Sequence, residues 1–405
     1  MSKLDELIQE KCPNGVNYKT VSDVATISRG RVMSKDYINE NQGEYPVYSS
    51  QTENNGEFGC ISTYDFDGEY LTWTTDGANA GSVFYRYGKF SVTNVCGLIK
   101  VSHDIILTRF LYFVLSAEAK KYVSSGMGNP KLMSNVMAKV KIPVPPLEVQ
   151  SEIVRILDNF TELTAELTAE LTARKKQYEY YRDKLFSFNV LNCAAVGNSL
   201  NNIIVMPLGE IGELVRGNGL QKKDLINNGV PAIHYGQIYT YYGVYTDKTI
   251  SFVSSQTAMK LRKVIYGDVV ITNTSENIED VGKAVTYLVK EQGVTGGHAT
   301  IFKPSEKILG KYLTYYTQTD DFARQKRIYA KGTKVIDLST SDLAKIKIPV
   351  PPIEEQRRIV SILDKFDMLT TSISEGLPKE IELRRKQYEY YRNQLLSFPD
   401  NKATA

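Results

Sequence analysis

The chain repeats itself. Ile142-Pro143-Val144-Pro145-Pro146 returns as Ile348-Pro349-Val350-Pro351-Pro352, 206 residues on. Gln150, Ile153-Val154 and Ile156-Leu157-Asp158 return at the same offset as Gln356, Ile359-Val360 and Ile362-Leu363-Asp364. Further along, Lys176-Gln177-Tyr178-Glu179-Tyr180-Tyr181-Arg182 returns as Lys386-Gln387-Tyr388-Glu389-Tyr390-Tyr391-Arg392, now 210 residues on. The added four residues amount to about one helical turn. A duplication on this scale means that whatever the first half builds, the second half builds again.

The repeat divides the chain into a globular block at 1–141, a repeated segment at 142–188, a second block at 189–347, the second copy at 348–398 and a tail at 399–405. Fainter echoes run through the blocks. Ile27-Ser28-Arg29-Gly30 answers Leu214-Val215-Arg216-Gly217, Pro46-Val47-Tyr48-Ser49 answers Ala232-Ile233-His234-Tyr235, and Val92-Thr93-Asn94 answers Val294-Thr295-Gly296.

Each repeated segment opens on prolines, which neither continue a strand nor sit inside a helix and so mark an extended lead-in. From Leu147 to Ser187 there is neither Pro nor Gly. Three-four spacing of apolar residues predicts one amphipathic helix of roughly 60 Å. Its seam is Phe160, Leu163, Leu167, Leu171 and Tyr178, answered by Phe366, Leu369, Ile373 and Tyr388 in the second copy. The Thr-Ala-Glu-Leu run from Thr164 departs from strict heptads, and Gly376 and Pro378 predict a break on the second side only. A lone helix of this length needs a partner. The expectation is an α+β protein: two α/β-mixed domains joined by two long helices that form an intramolecular antiparallel coiled coil with pseudo-twofold symmetry. A plain coiled-coil scaffold for protein partners is the alternative.

Short β-like runs (Tyr70 to Thr74, Ser82 to Tyr87, Val95 to Val101, Lys263 to Ile271, Lys283 to Val289) and one helical stretch per block (Leu107 to Lys121, Leu309 to Gln325) support the α+β class. At 405 residues, 42% apolar and 23% charged, the chain has the balance of a folded soluble protein. No apolar run is long enough to span a membrane, and Met1 to Glu6 offers no signal-peptide core. Cys12, Cys60, Cys96 and Cys193 are scattered and only three histidines are present. Neither a disulfide scaffold nor a metal centre is expected, and a cytoplasmic location is.

Net charge is +3, and only the block 189–347 is basic, with 19 cationic against 14 acidic side chains. Several loops gather small hydroxyls, amides and cations, the groups that bind phosphates and read base edges. The candidates in the first block are Arg29, Arg31, Lys35, Ser49, Ser50, Thr74, Thr75, Asn79 and Lys131. In the second they are Arg216, Asn218, Lys222, His234, Tyr235, Asn273, Ser275, Lys331, Thr333 and Lys334. For any one loop, a solvated turn explains the same composition. No phosphate-binding Gly-rich loop, dinucleotide fingerprint, adenine-methyltransferase motif or credible catalytic triad is found, so the chain reads as a binder rather than a catalyst.

The Pro-Val-Pro-Pro-Leu/Ile-Glu-x-Gln segment, its duplication and the Lys-Gln-Tyr-Glu-Tyr-Tyr-Arg ends resemble the specificity (S, HsdS) subunits of type I restriction-modification systems. The Thr-Ala-Glu-Leu run is similar to the variable spacer of the type IC branch. The resemblance implies two target-recognition domains, each reading one half of a split double-stranded DNA sequence, with the helices setting the gap. It further implies two modification (methyltransferase) subunits and two restriction (translocase and nuclease) subunits as partners. S-adenosylmethionine, ATP and Mg would sit on those partners, with no cofactor, metal or catalytic residue in this chain.

Overall fold

The computed structural model describes residues 3–124, 128–187, 203–371 and 376–401. Ile373 of the expected seam and Cys193 lie outside the described residues. The chain forms two compact units, one of Met1–Glu166 with Ile381–Ala405 and one of Leu167–Glu380. This division differs from one into blocks and spacers. Each spacer gives its two ends to different cores, so each unit holds one globular head and a piece of both spacers.

In the first unit a six-stranded sheet runs in the order Ala25–Arg29, Cys96–Val101, Phe66–Thr74, Val83–Val92, Gln42–Tyr48, Glu57–Ile61. From Tyr70 onward, strand Phe66–Thr74 is buried on both faces. Leu71 and Trp73 face Phe110, Phe113 and Val114 around helix Thr108–Glu118, while Tyr70 faces Phe90, Val92, Cys96 and Leu98, as the two-residue period of a strand requires. The sheet curls until Arg31, just past its first strand, bridges Thr93, just past Val83–Val92.

The second unit repeats this plan in two sheets. One runs Gly212–Arg216, Ala299–Pro304, Val269–Thr272, Ala284–Tyr287, Tyr245–Thr246, and the other Ser251–Val253, Val230–Ile233, Gly293–Thr295, Arg262–Val264. The faint echoes mark equivalent places. The echoing strands pair in parallel in both units, Tyr48 with Val92 and Ala232 with Val294, the second register being shifted by two residues. Gly30 and Gly217 each take a backbone carbonyl where a Cβ would sit, 1.7 Å from Val92 O and 2.2 Å from Gly296 O. No larger residue fits either place.

Three expectations need correction. The run Lys263 to Ile271 is two strands, Arg262–Val264 and Val269–Thr272, because Gly267 turns the chain between them at φ +93. The stretch Leu309 to Gln325 is two helices, Gly310–Tyr316 and Asp320–Tyr329, the second capped by the Thr319 hydroxyl accepting from Phe322 N–H. The proline-rich segments are themselves strands. Lys141–Val144 pairs with Asn17–Thr20 and Lys347–Val350 with Ile204–Pro207. A two-stranded ribbon has an outer edge, where the N–H that proline lacks is no loss.

The repeated glutamine joins each head to its helix. Gln150 is fully buried. Its Oε1 accepts from Leu107 N–H at 2.8 Å, and its Nε2 donates to Ile105 O at 2.8 Å and Pro145 O at 2.7 Å. Gln356 makes the same three bonds, from Leu309 N–H at 2.9 Å and to Lys307 O and Pro351 O at 2.8 Å each. Two turns on, the repeated aspartates pair with cations in the first turn of each head helix: Asp158 with Arg109 at 2.6 Å and Asp364 with Lys311 at 2.7 Å.

Helix Leu147–Leu185 is continuous, whereas the second copy is two helices, Ile353–Thr371 and Gly376–Leu395, with Gly376 at φ +76. Pairing is antiparallel within each unit. In the first, Phe160 stacks on Tyr391 at 5.5 Å, and Tyr388 and Leu395 cover a core containing Val149, Ile153 and Leu157. In the second, Phe366 lies 6.3 Å from Tyr178 and 6.1 Å from Tyr181, beside Ile359 and Leu363. The seam is therefore tight beside the heads. It is looser at the tetrapeptide leucines, where Leu163 is 46% exposed and Leu167 and Leu171 are half-buried; Leu369 is exposed too.

Replacing Gln150 or Gln356 with Ala takes the partner from two carbonyls and one N–H. Each change is expected to destabilise its unit by about 2–4 kcal/mol. Because the sites belong to different units, the double variant should lose close to the sum. Urea denaturation checks both values; a loss below the scatter of surface substitutions would contradict the clamp.

Candidate nucleic-acid interface

In the first unit the candidate loops meet at one rim. Arg29 donates from Nε to Ser134 Oγ at 3.2 Å. Arg31 pairs with Asp65 at 3.1 Å and donates to Tyr37 Oη. Ser49 Oγ lies 2.9 Å from Thr93 Oγ1, and Asn79 Nδ2 donates to Thr52 Oγ1 at 2.9 Å. Lys131 lies 3.6 Å from Asp76. Lys35 is exposed at the start of helix Lys35–Glu40, and Ser50 is half-buried beside Ser49.

Two candidates are not surface groups. Thr74 and Thr75 are buried, and the Thr75 hydroxyl is spent on Val95 O and Asp76. The physical reason is that Thr74 ends a strand whose last five residues are all buried. Thr75 instead fixes the rim from within: its carbonyl accepts from Leu132 N–H at 2.9 Å, and Trp73 Nε1 donates to Leu132 O at 2.9 Å.

The second unit repeats the arrangement. Arg216 donates from Nε to Gly297 O at 3.0 Å and lies 3.7 Å from Asp337. Asn218 ties Lys260 O to Arg262 N–H. The Tyr235 ring sits between His234 and His298, with centroids 4.5 and 4.9 Å away, and His298 Nδ1 lies 2.9 Å from Thr274 Oγ1. Lys331 pairs with Asp342 at 3.2 Å. Thr333 and Lys334 are exposed on the adjoining turn, and Lys222 is exposed near His234.

Asn273 and Ser275 are corrected as the threonines are. Both are buried. Asn273 Nδ2 donates to Leu338 O at 2.6 Å and its Oδ1 accepts from Thr300 Oγ1 at 2.9 Å. Leu338 thus repeats Leu132, each a carbonyl held by a core side-chain donor.

Electrostatically the rims are loose outside and firm inside. The exposed pairs of Arg31, Lys131 and Arg216 are worth little in water, so their cations can exchange a carboxylate for a phosphate, whereas Lys331 is paired with the buried Asp342. Lys222 and Lys334 have no ion-pair partner among the described residues. Inside, two cations that sequence reading missed prop the loops. Arg86, 3% exposed, donates to Asn55 O at 2.7 Å. Lys326, also buried, donates to Glu279 O at 3.0 Å and Val281 O at 2.7 Å, and burial pulls its ammonium down to about 8. No sequence signal marks either, because a single cation on a strand or helix reads as a surface residue.

Comparisons with known proteins identify the family. The family pattern of the type I restriction modification DNA specificity domain matches residues 13–174 and again 202–383. The chain belongs to that family, whose members are non-catalytic specificity subunits. A protein of Mycoplasma pneumoniae named as a type I specificity subunit is 30% identical over 394 residues, covering 94% of this chain and 97% of its own. Another, named as the N-terminus of such a subunit, is 51% identical over 175 residues, covering 41% of this chain and 94% of its own. Among solved structures, the S subunit of a type I restriction-modification system from M. genitalium aligns with a TM-score of 0.53 at 18% identity, over 95% of this chain and 97% of that one. A chain from a study of complex assembly and conformational transition of the type I system aligns with a TM-score of 0.58 at 14% identity, over 94% and 97%. These two likenesses concern the fold.

Burial, then His298 and Lys222, hold the His234 imidazole below its ordinary 6.5. The charged form is disfavoured in the folded chain, so acidification below about 6.5 loads more protons on the unfolded state and lowers stability. The His234 ring resonances are expected to titrate with a midpoint below 6.5; a midpoint at or above it would contradict the packing around Tyr235.

Proposed function

We propose that the chain reads a bipartite duplex sequence, the first rim taking one half and the second rim the other, with the spacer helices setting the gap. The observation that carries this reading is the rim built twice, each with exchangeable cations at its surface and each clamped to a spacer by an identical glutamine network. Half-sites read by modules on a fixed frame follow the frame. A coiled-coil scaffold for protein ligands would have no need of two matching cationic rims.

Near-neutral heads leave part of the phosphate contact to partners. In this reading two modification subunits dock on the helices and two restriction subunits complete the complex in the cytoplasm. S-adenosylmethionine, ATP and Mg belong to those subunits, and this chain holds no cofactor. No helix of the described residues is long and apolar enough to cross a membrane. The tetrapeptide run supports a type IC-like spacer.

Deleting Thr164 to Leu167 removes about 6 Å of helix, equivalent to roughly one to two base pairs at ~3.4 Å each. Methylome sequencing of cells carrying the shortened chain with its partners is expected to give the same two half-sequences with a smaller gap. An altered half-sequence would contradict the ruler. Arg216→Ala and Lys334→Ala should each weaken DNA binding by the assembled complex and reduce its salt slope by about one. Unchanged affinity across a salt series would remove both from the interface.

A further inference from the structure

We infer that the loop Gln51–Gly56 is a base-reading finger of the first unit, with Asn54 and Asn55 taking adenine edges and the buried Arg86 positioning them. This rests on the DNA-reading role proposed above and deepens it to named side chains.

The backbone is the first observation. Asn54 and Asn55 stand at φ +47 and +56, the only non-glycine residues with positive φ among those described, and Gly56 follows at +81. Consecutive left-handed residues are costly and persist where the surroundings enforce them, commonly at functional sites. Asparagine tolerates this conformation better than other side chains. Both asparagines are exposed, and neither side-chain amide has a hydrogen-bond partner among the described residues.

The enforcement is the second observation. Arg86 lies on strand Val83–Val92 with its guanidinium 3.6 Å from the Tyr48 ring and 4.7 Å from the Phe84 ring. Its Nε donates to Thr72 Oγ1 at 3.1 Å and its Nη2 to Asn55 O at 2.7 Å, while Nη1 is buried without a partner. No carboxylate pairs with it among the described residues. A buried cation left uncompensated is costly, and this one spends its strongest bond on the backbone of the finger. The base of the finger is tied as well: Ser49 N–H donates to Gly56 O at 3.0 Å, and Thr52 accepts from Asn79.

The chemistry of the tip is the third. Glu53, Asn54 and Asn55 present two amides and a carboxylate and no cation. Such a tip repels phosphates. An asparagine amide matches adenine N6 and N7 in the major groove, and a carboxylate accepts only from base donors such as cytosine N4. The finger therefore suits the groove floor, with the cations of the rim left for the backbone.

The test uses the full chain expressed with its methyltransferase partner in a host lacking other adenine methylation, read by methylation-sensitive long-read sequencing. The wild-type chain should give a two-part motif. Asn54→Ala and Asn55→Ala should keep the second half and the gap while discrimination at one or two adenine-specified positions of the first half falls about tenfold or more. Arg86→Met should relax the same positions. A wild-type motif unchanged in both asparagine variants overturns the finger and leaves the underlying reading standing. Arg86→Met lowering methylation without relaxing those positions overturns its positioning role. A wild-type chain giving no two-part motif overturns the underlying reading, and the finger with it.

Discussion

A buried neutral amide couples each head to its helix, and the rest of the structure depends on that coupling. Gln150 and Gln356 are themselves fully buried, and each is satisfied by one backbone N–H and two carbonyls. In a low-dielectric setting such a network is stiff, because breaking any bond leaves an unpaired group. The adjoining aspartate–cation pairs, Asp158 with Arg109 and Asp364 with Lys311, add a second attachment two turns along. A head fixed at two points on a helix keeps its orientation to that helix, which a reader of base edges requires.

The architecture was legible because duplication and helical periodicity are properties of sequence alone. The repeated Gln was visible as a repeat, but its role was not, since its partners are backbone groups at Ile105, Leu107, Lys307 and Leu309 that no side-chain pattern marks. The break near Gly376 was legible through glycine and proline chemistry. The strand character of the Ile-Pro-Val segments was not, because proline argues against strands except at an edge, and an edge is known only once the partner strand is.

The site was legible as a set of loops and illegible as a set of faces. Composition found the segments that converge on both rims. It could not separate Arg29 and Arg216, which stay exposed, from Thr75 and Asn273, whose polar atoms turn inward to hold Leu132 and Leu338. The inward residues face the core and define the shape of the rim from beneath. Arg86 and Lys326 escaped notice for the converse reason. A single cation on a strand or helix reads as surface, and only burial reveals that each props a loop from beneath.

Two heads with separate cores, each clamped to the spacers by its own network, should read DNA independently. The most direct measurement exchanges residues 208–346 for the matching segment of the Mycoplasma pneumoniae relative that aligns over nearly its whole length, and sequences the methylome produced with the native partners. One half of the modified sequence should change while the other half and the gap stay as they were. A change in both halves, or in the gap, would contradict independent heads on a fixed frame.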